Sequence, residues 1–133
     1  MDNSLESLAR SIHKTAVEKG WWTTELGTQR NFGEALALIH SEVSEALESW
    51  REGDDIRSIS YEYADGEISS QATRFSDKDQ EYGKPVGVAS ELADVVIRVM
   101  DLCEGMGIPL VQAIFDKNNY NKTRPHRHGG KLA

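Results

Sequence analysis

Residues 88–104 read VASELADVVIRVMDLCE, the most apolar helical pattern in the chain. Apolar residues recur in it three and four positions apart, which is the period of an α-helix, and they cover most of its circumference. Gly105 and Gly107 follow and are typical helix stops. A helix this apolar needs neighbours on several sides, so the segment predicts a helical bundle.

Three other segments have the same periodicity. The first begins at Ser4, a plausible N-cap, and runs up to Gly20. The second covers residues 31–52, where apolar residues form one stripe: Phe32, Leu36, Ile39, Val43, Leu47 and Trp50. The last begins at Pro109, runs to about Asn121 and ends before Pro125. These segments predict an all-α fold with four helices.

The helical pattern is interrupted at residues 54–87. Ser58–Tyr63 and Ile68–Thr73 alternate weakly around Asp65-Gly66, a hairpin turn signal, and a polar stretch follows Arg74. We expect a β-hairpin or loop inserted between the second and third helices. An isolated hairpin is only marginally stable, so it needs a surface to pack on.

The length of 133 residues predicts a single domain over 1–133. Cys103 is the only cysteine, which excludes an internal disulfide framework and suits a reducing compartment. No apolar run approaches the roughly 18 residues of a membrane span, and the first residues are not those of a signal peptide. The expected location is therefore cytoplasmic.

The net charge of −7 argues against nucleic-acid polymers and anionic membranes as partners. The charge is uneven, however. Residues 116–133 carry a net +4, with a basic tail over 122–133, which leaves −11 for residues 1–115. An acidic body with a basic tail is compatible with a small anion that binds together with a cation.

Two carboxylate pairs with the same spacing lie on the second and third helices. Glu42 and Glu45 are three residues apart, and so are Glu91 and Asp94. Residues at this spacing are neighbours on a helix surface. Four carboxylates on two packed helices would repel one another unless a cation lay among them. Oxygen ligands without histidine or thiolate favour Mg²⁺, or Mn²⁺ as a substitute, over zinc.

The alternative is that these carboxylates are ordinary solvated acids, with Arg98 neutralising Asp94 one helical turn away. Glu48 and Asp101 extend the same faces and are interpreted as such ordinary acids. His13 and His40 have no metal-binding partner at ligand spacing, so neither is expected to be functional.

Basic and aromatic residues supply further candidates. Lys117, Asn121 and Arg124 recur on one face of the fourth helix or its exit, where they would suit phosphate. A frayed basic terminus is the alternative. Trp21 and Trp22 could stack on a nucleotide base or close one end of the bundle. Phe32 and Trp50 are expected in the core or a subunit contact, and Cys103 as a buried apolar residue.

The ordered set of Glu42-x-x-Glu45, Glu91-x-x-Asp94 and Lys117-x-x-x-Asn121-x-x-Arg124 resembles the MazG family of all-α nucleoside triphosphate pyrophosphohydrolases. The resembling stretches run from Phe32 to Arg51 and from Gly87 to Lys131, about half of the chain. Two features depart from the family pattern. Ser41 stands where the family often has another glutamate, and the insertion lengthens the separation between the two acid pairs.

The resemblance implies Mg²⁺-dependent cleavage of a nucleoside triphosphate between the α and β phosphates, as in nucleotide-pool house-cleaning. It implies that the four matched acids hold the metal, with Glu42 or Glu45 also catalytic, and that Lys117, Asn121 and Arg124 hold the phosphates. It further implies a homodimer or homotetramer that completes the bundle. Two alternatives stay open: a phosphoribosyl-ATP pyrophosphohydrolase and a non-catalytic helical interaction module.

Overall fold

The structure, a computed structural model, describes residues 4–23, 30–63, 66, 68–69 and 83–125. Within these residues the chain forms, in order, α1 (Leu5–Glu18), α2 (Phe32–Arg51), β1 (Ser60–Glu62), β2 (Ile68–Ser69), β3 (Lys84–Val86), α3 (Val88–Met106) and α4 (Leu110–Thr123). The prediction of a mainly α-helical chain is confirmed, with all four predicted helices present. None of the helices in the described ranges is both long and apolar enough to cross a membrane.

The helix ends follow from local chemistry. At the start of α1, the Oγ atom of Ser4 accepts a hydrogen bond from the backbone N–H of Ser7 at 3.1 Å. At the start of α2, Oδ1 of Asn31 accepts from the N–H of Glu34 at 2.9 Å. Each cap satisfies a backbone donor that the first helical turn leaves unpaired. α2 ends at Arg51, and Gly53 follows its C-cap residue Glu52 with a φ of +95°, the left-handed conformation typical of a helix C-terminus.

The inserted segment forms a small antiparallel sheet with β1 in the middle, in the order β2-β1-β3. Tyr61 of β1 is aligned with Ser69 of β2 and with Pro85 of β3, and its side chain is buried. The predicted ribbon is thus present at β1 and β2, while β3 was not predicted. A three-residue strand containing proline is a weak pattern, and proline is tolerated there because β3 is an edge strand.

Some predictions concern residues outside the described ranges. These are the second half of the predicted strand at 70–73, Asp65 of the turn, the polar stretch up to residue 82, and residues 126–133 of the basic tail. The prediction of one domain over 1–133 also stays a prediction.

The chain divides into two compact units, Met1–Trp21 with Met100–Ala133, and Trp22–Val99. The first unit contains α1, α4 and the last turns of α3, and its buried apolar residues are Ala9, Ala16, Met100, Leu102 and Cys103. The second contains α2, the sheet and the first turns of α3, and buries Ala35, Ala46, Tyr61 and Val88. Burial raises the pKa of the Cys103 thiol, as expected for an apolar residue.

The apolar stripe of α2, defined above as Phe32, Leu36, Ile39, Val43, Leu47 and Trp50, is not the buried side of that helix. Phe32 is 45% exposed, Leu47 47% and Trp50 59%. The buried residues of α2 are Ala35, Glu42 and Ala46, which lie on an adjacent face. Phe32 and Trp50 are therefore not core residues within one chain, which leaves a subunit contact as the expectation for them.

Candidate metal centre

The most buried residue of the predicted acid set is Glu42, in the middle of α2. It lies on the same face of the helix as Ala35 and Ala46, and it is only 7% exposed. A carboxylate at such a position is costly unless a cation or hydrogen-bond donors reach it. Its burial sets Glu42 apart from an ordinary solvated glutamate.

Glu42 belongs to a cluster with two acids from the first turns of α3. Glu42, Glu91 and Asp94 each offer one carboxylate oxygen, and these oxygens all lie within 4.8 Å of one another. Exposure rises across the cluster, since Glu42 is buried, Glu91 is half-buried and Asp94 is exposed. The cluster is therefore open to solvent on the side of Asp94, and its three oxygens could hold a metal ion.

Glu45, the fourth predicted acid, lies beside this cluster, because its side chain shares a hydrogen bond with Glu91. The pKa of Glu91 is raised, first by burial and then by the negative charges of Glu45 and Asp94. The hydrogen bond with Glu45 raises it further, since a protonated Glu91 can donate to a Glu45 carboxylate. All four acids predicted from the sequence are thus brought together.

Two cations act on the cluster. The Nε of Arg98 donates to Oε1 of Glu42 at 2.7 Å. The pKa of Asp94 is raised by burial and by the charge of Glu42, while the charges of Arg98 and Lys84 oppose this rise. The expected pairing of Arg98 with Asp94 is therefore incomplete, because the hydrogen bond of Arg98 goes to Glu42. Lys84, on β3, was not predicted as part of the site.

The three clustered carboxylate oxygens could hold a metal ion. Four carboxylates lie near two cations here, and the pKa values of Glu91 and Asp94 are raised first by burial and then by the negative charges of neighbouring carboxylates. A metal ion among the oxygens of Glu42, Glu91 and Asp94 would remove that repulsion. Arg98 contacts Oε1 of Glu42.

The predicted phosphate-binding residues belong to the first unit, with Lys117 and Asn121 on α4 and Arg124 directly after it. Lys117 and Arg124 both approach the ring of Tyr120, with Nζ and Cζ each 5.8 Å from its centroid. Asn121 is on the same helix, and all four side chains are exposed. The two cations thus share one aromatic neighbour, which was not predicted. The sequence did contain a signal for this arrangement, because Lys117 is three residues before Tyr120 and Arg124 is four residues after it.

The two tryptophans are in different environments. Trp21 follows α1, is 61% exposed and belongs to the first unit. Trp22 begins the second unit and is half-buried, with the guanidinium of Arg30 5.3 Å from its ring centroid. The structure does not test the prediction that either ring stacks on a base.

One polar pair in the first unit was not predicted. Nδ1 of His13, on α1, lies 2.8 Å from Oδ1 of Asp101, on α3, and Asp101 is only 5% exposed. The expectations that Asp101 is a solvated acid and that His13 lacks a functional partner concerned these two residues separately. The prediction that Asp101 is a solvated acid is wrong, because Asp101 is buried. The pairing of His13 with Asp101 could not be predicted from a local pattern, because the two residues are 88 positions apart in the sequence.

Comparisons of the chain with models of known protein families, with curated proteins and with solved structures found no match.

Proposed function

We propose that this protein is a Mg²⁺-dependent nucleoside triphosphate pyrophosphohydrolase that cleaves between the α and β phosphates. The observation that carries the proposal is the convergence of carboxylate oxygens from Glu42, Glu91 and Asp94, on two helices, with Glu45 hydrogen-bonded beside them. These residues are the acids of the MazG-like pattern. The proposal thus has two supports, the sequence pattern and the geometry of the acids.

The three clustered acids would hold the metal. Oxygen ligands from carboxylates suit Mg²⁺, with Mn²⁺ as a substitute, and no thiolate or imidazole belongs to the cluster within the described residues. When bound, Mg²⁺ supplies positive charge to the phosphates and makes water more acidic. The exposed side of the cluster, at Asp94, gives a polyphosphate access to it.

Glu45 is the residue we assign as general base, with Glu42 as the other catalytic candidate of the pattern. In the proposed hydrolysis the oxygen of water attacks the α phosphorus, the bond to the bridging oxygen breaks, and pyrophosphate leaves. The carboxylate of Glu45 accepts the proton of the water. The position of Glu45 next to Glu91 supports this role, because it places the carboxylate beside the clustered oxygens.

The remaining roles follow the resemblance. Lys117, Asn121 and Arg124 are proposed to bind the phosphates, where the positive charges of Lys117 and Arg124 would offset the charge that develops on pyrophosphate and Asn121 would add a neutral donor. Trp21 and Trp22 are the proposed base-stacking residues.

A pyrophosphate-release screen tests the proposed function directly. The purified chain is incubated with Mg²⁺ and each of the common and modified ribo- and deoxynucleoside triphosphates, and with phosphoribosyl-ATP. We expect at least one triphosphate to yield equal amounts of monophosphate and pyrophosphate. Chromatography of the nucleotide products separates this reaction from stepwise phosphate removal, which would give diphosphate.

The other outcomes of the screen identify the alternatives. Turnover of phosphoribosyl-ATP and of no plain nucleotide would assign the chain to the phosphoribosyl-ATP reaction. No pyrophosphate from any substrate, together with no thermal shift on adding Mg²⁺ and a non-hydrolysable triphosphate, would favour the non-catalytic interaction module.

We also propose that the chain forms a homo-oligomer through the apolar stripe of α2. Five of the six side chains in the stripe are at least 43% exposed, and together they form one continuous apolar surface along the helix. Monomeric proteins rarely expose such patches, which more often mark contacts between proteins. A second copy of the same stripe is the simplest complementary surface, since symmetric dimers are the commonest oligomers.

The oligomer is tested by a charge placed in the stripe. Leu47→Lys should convert a homodimer or homotetramer to a monomer of 14.8 kDa, measured by light scattering coupled to size-exclusion chromatography. The reason is that a buried, unpaired ammonium group in the interface costs several kcal/mol. Ser44→Lys, an exposed position on α2 outside the stripe, makes the same change of charge and should leave the oligomer intact. A wild-type chain that is monomeric at high micromolar concentration would refute this part of the proposal.

A further inference from the structure

The N-terminus of α3 is capped by a residue from a distant part of the sequence. The carbonyl of Gly87 accepts the first hydrogen bond of the helix, from the N–H of Glu91 at 2.9 Å, so Gly87 occupies the N-cap position. Glycine has no side chain with which to cap. Instead, Oδ2 of Asp54 accepts a hydrogen bond from the N–H of Val88 at 2.8 Å. The capping carboxylate thus comes from the other side of the inserted segment.

Gly87 and Asp54 are matched in shape as well as in hydrogen bonding. Gly87 has a φ of +97°, a conformation that other residues rarely adopt. A Cβ atom at this position would lie 2.8 Å from Oδ2 and 3.0 Å from Oδ1 of Asp54. Glycine is therefore required at position 87 for two reasons. The backbone has a positive φ, and the Asp54 carboxylate leaves no room for a Cβ atom.

Asp54 is at the same time anchored to the end of α2. Its backbone N–H donates to the carbonyl of Ser49 at 3.1 Å, directly after the turn at Gly53. One residue therefore ends α2 through its backbone and begins α3 through its side chain. The acids of the candidate metal centre lie on these same two helices, with Glu91 in the first turn of α3 and Asp94 in the next.

We propose that Asp54 is a positioning residue for the metal centre: by linking the end of α2 to the first turn of α3, it sets the position of Glu91 and Asp94 relative to Glu42. The effect of Asp54 on catalysis rests on the proposed function, whereas its effect on metal binding does not. An unconstrained first turn can fray, and a shift of about 1 Å in two ligands is enough to weaken a metal site.

A cap that only stabilised the helix would behave differently from a positioning residue. Removing such a cap would lower the melting temperature without changing the affinity of the metal centre. Asn31, which caps α2 at the far end from Asp54, provides a matched control in the same unit. Asparagine also caps helices nearly as well as aspartate, so Asp54→Asn should preserve the link.

The experiment compares Mn²⁺ binding and thermal stability in the full chain. Isothermal titration with Mn²⁺ alone, well below each melting temperature, is run on Asp54→Ala, Asp54→Asn and Asn31→Ala. We expect Asp54→Ala to weaken Mn²⁺ binding about tenfold, the size of effect seen when residues that support metal ligands are removed. Asp54→Asn should stay within about threefold of wild type, and Asn31→Ala should lose stability but no Mn²⁺ affinity. If Asp54→Ala does not fold, the experiment uses Asp54→Ser in its place. The serine side chain is shorter than that of aspartate and should not reach the N–H of Val88.

Equal Mn²⁺ affinity in wild type and Asp54→Ala would overturn the inference, as would an equal loss in Asn31→Ala. A wild-type chain that binds no Mn²⁺ would overturn it too. If the expected order of Mn²⁺ affinities is found but no nucleotide releases pyrophosphate, the positioning role stands and the proposed function fails.

Discussion

Glu91→Gln is expected to raise the melting temperature of the metal-free protein and at the same time to lower pyrophosphate release on the order of a thousandfold. The stability gain follows from the raised pKa of Glu91, whose ionised form is disfavoured by burial and by the charges of Glu45 and Asp94. A neutral glutamine removes that repulsion and keeps the shape of the side chain. The expected gain is about 2 °C or more at pH 8, measured by calorimetry in EDTA.

The loss of activity has a different origin. Glutamine offers a neutral oxygen where the proposed metal centre needs a charged ligand. A thousandfold decrease in kcat/KM corresponds to about 4 kcal/mol of lost transition-state stabilisation. A residue whose replacement stabilises the fold but removes the activity is typical of a functional site rather than of a structural one.

Glu48→Gln is the matched control for this variant. Glu48 is an exposed glutamate of α2 that is not part of the clustered oxygens. The same chemical change there should leave both the melting temperature and the turnover close to wild type. Full turnover by Glu91→Gln, or a clear loss of stability in EDTA, would contradict the account of the metal centre given above.

Removal of the metal is expected to abolish turnover, and the stabilisation by Mg²⁺ is expected to grow with pH. The pKa values of Glu91 and Asp94 are both raised above their ordinary values of 4.5 and 3.8. The folded state therefore holds protons on these groups more tightly than the unfolded state does. As pH rises from about 4 through the raised pKa values, both groups ionise, and the metal-free fold loses stability.

Mg²⁺ reverses this trend, because it binds the ionised carboxylates and competes with protons for them. We expect Mg²⁺, at a concentration about 100 times its Kd, to raise the melting temperature by several degrees at pH 8. The increase should be close to zero at pH 4.5. Asp94→Asn should flatten the pH dependence in EDTA. Undiminished turnover in excess EDTA, or a thermal shift independent of pH, would refute a metal at this cluster.

The helices could be predicted from sequence because their signals are local. The second helix was predicted over 31–52 and extends over Phe32–Arg51, between its asparagine cap and its glycine stop. The third was predicted to end at Glu104 and continues to Met106. β3 was missed because its three residues become a strand only through pairing with β1, more than twenty residues earlier.

In the candidate site, the four acids could be predicted from the sequence, but their partners could not. The repeated spacing of the acids on two helices was visible in the sequence, and all four acids do come together. The partners of those acids could not be predicted, because each depends on contacts between distant segments. Arg98 lies one helical turn from Asp94 but donates its hydrogen bond to Glu42. The charge of Lys84, on the inserted sheet, lowers the pKa of Asp94.

Burial was the least predictable property. The stripe of α2 has the period of a core-facing surface, yet Glu42, on the adjacent face, is the buried position. Periodicity identifies an apolar face but not the partner that covers it, which can belong to the same chain or to another copy. A single sequence does not distinguish these cases.

The sheet order β2-β1-β3 also has a consequence for the length of the segment between β2 and β3. Both β2 and β3 pair with β1, so the two ends of the segment at 70–82 are fastened to the same strand. The free energy of closing a loop changes by only about 0.6 kcal/mol for each doubling of its length. A change in the number of residues between these anchors would therefore cost little free energy of chain closure, and both anchors would still be paired with β1.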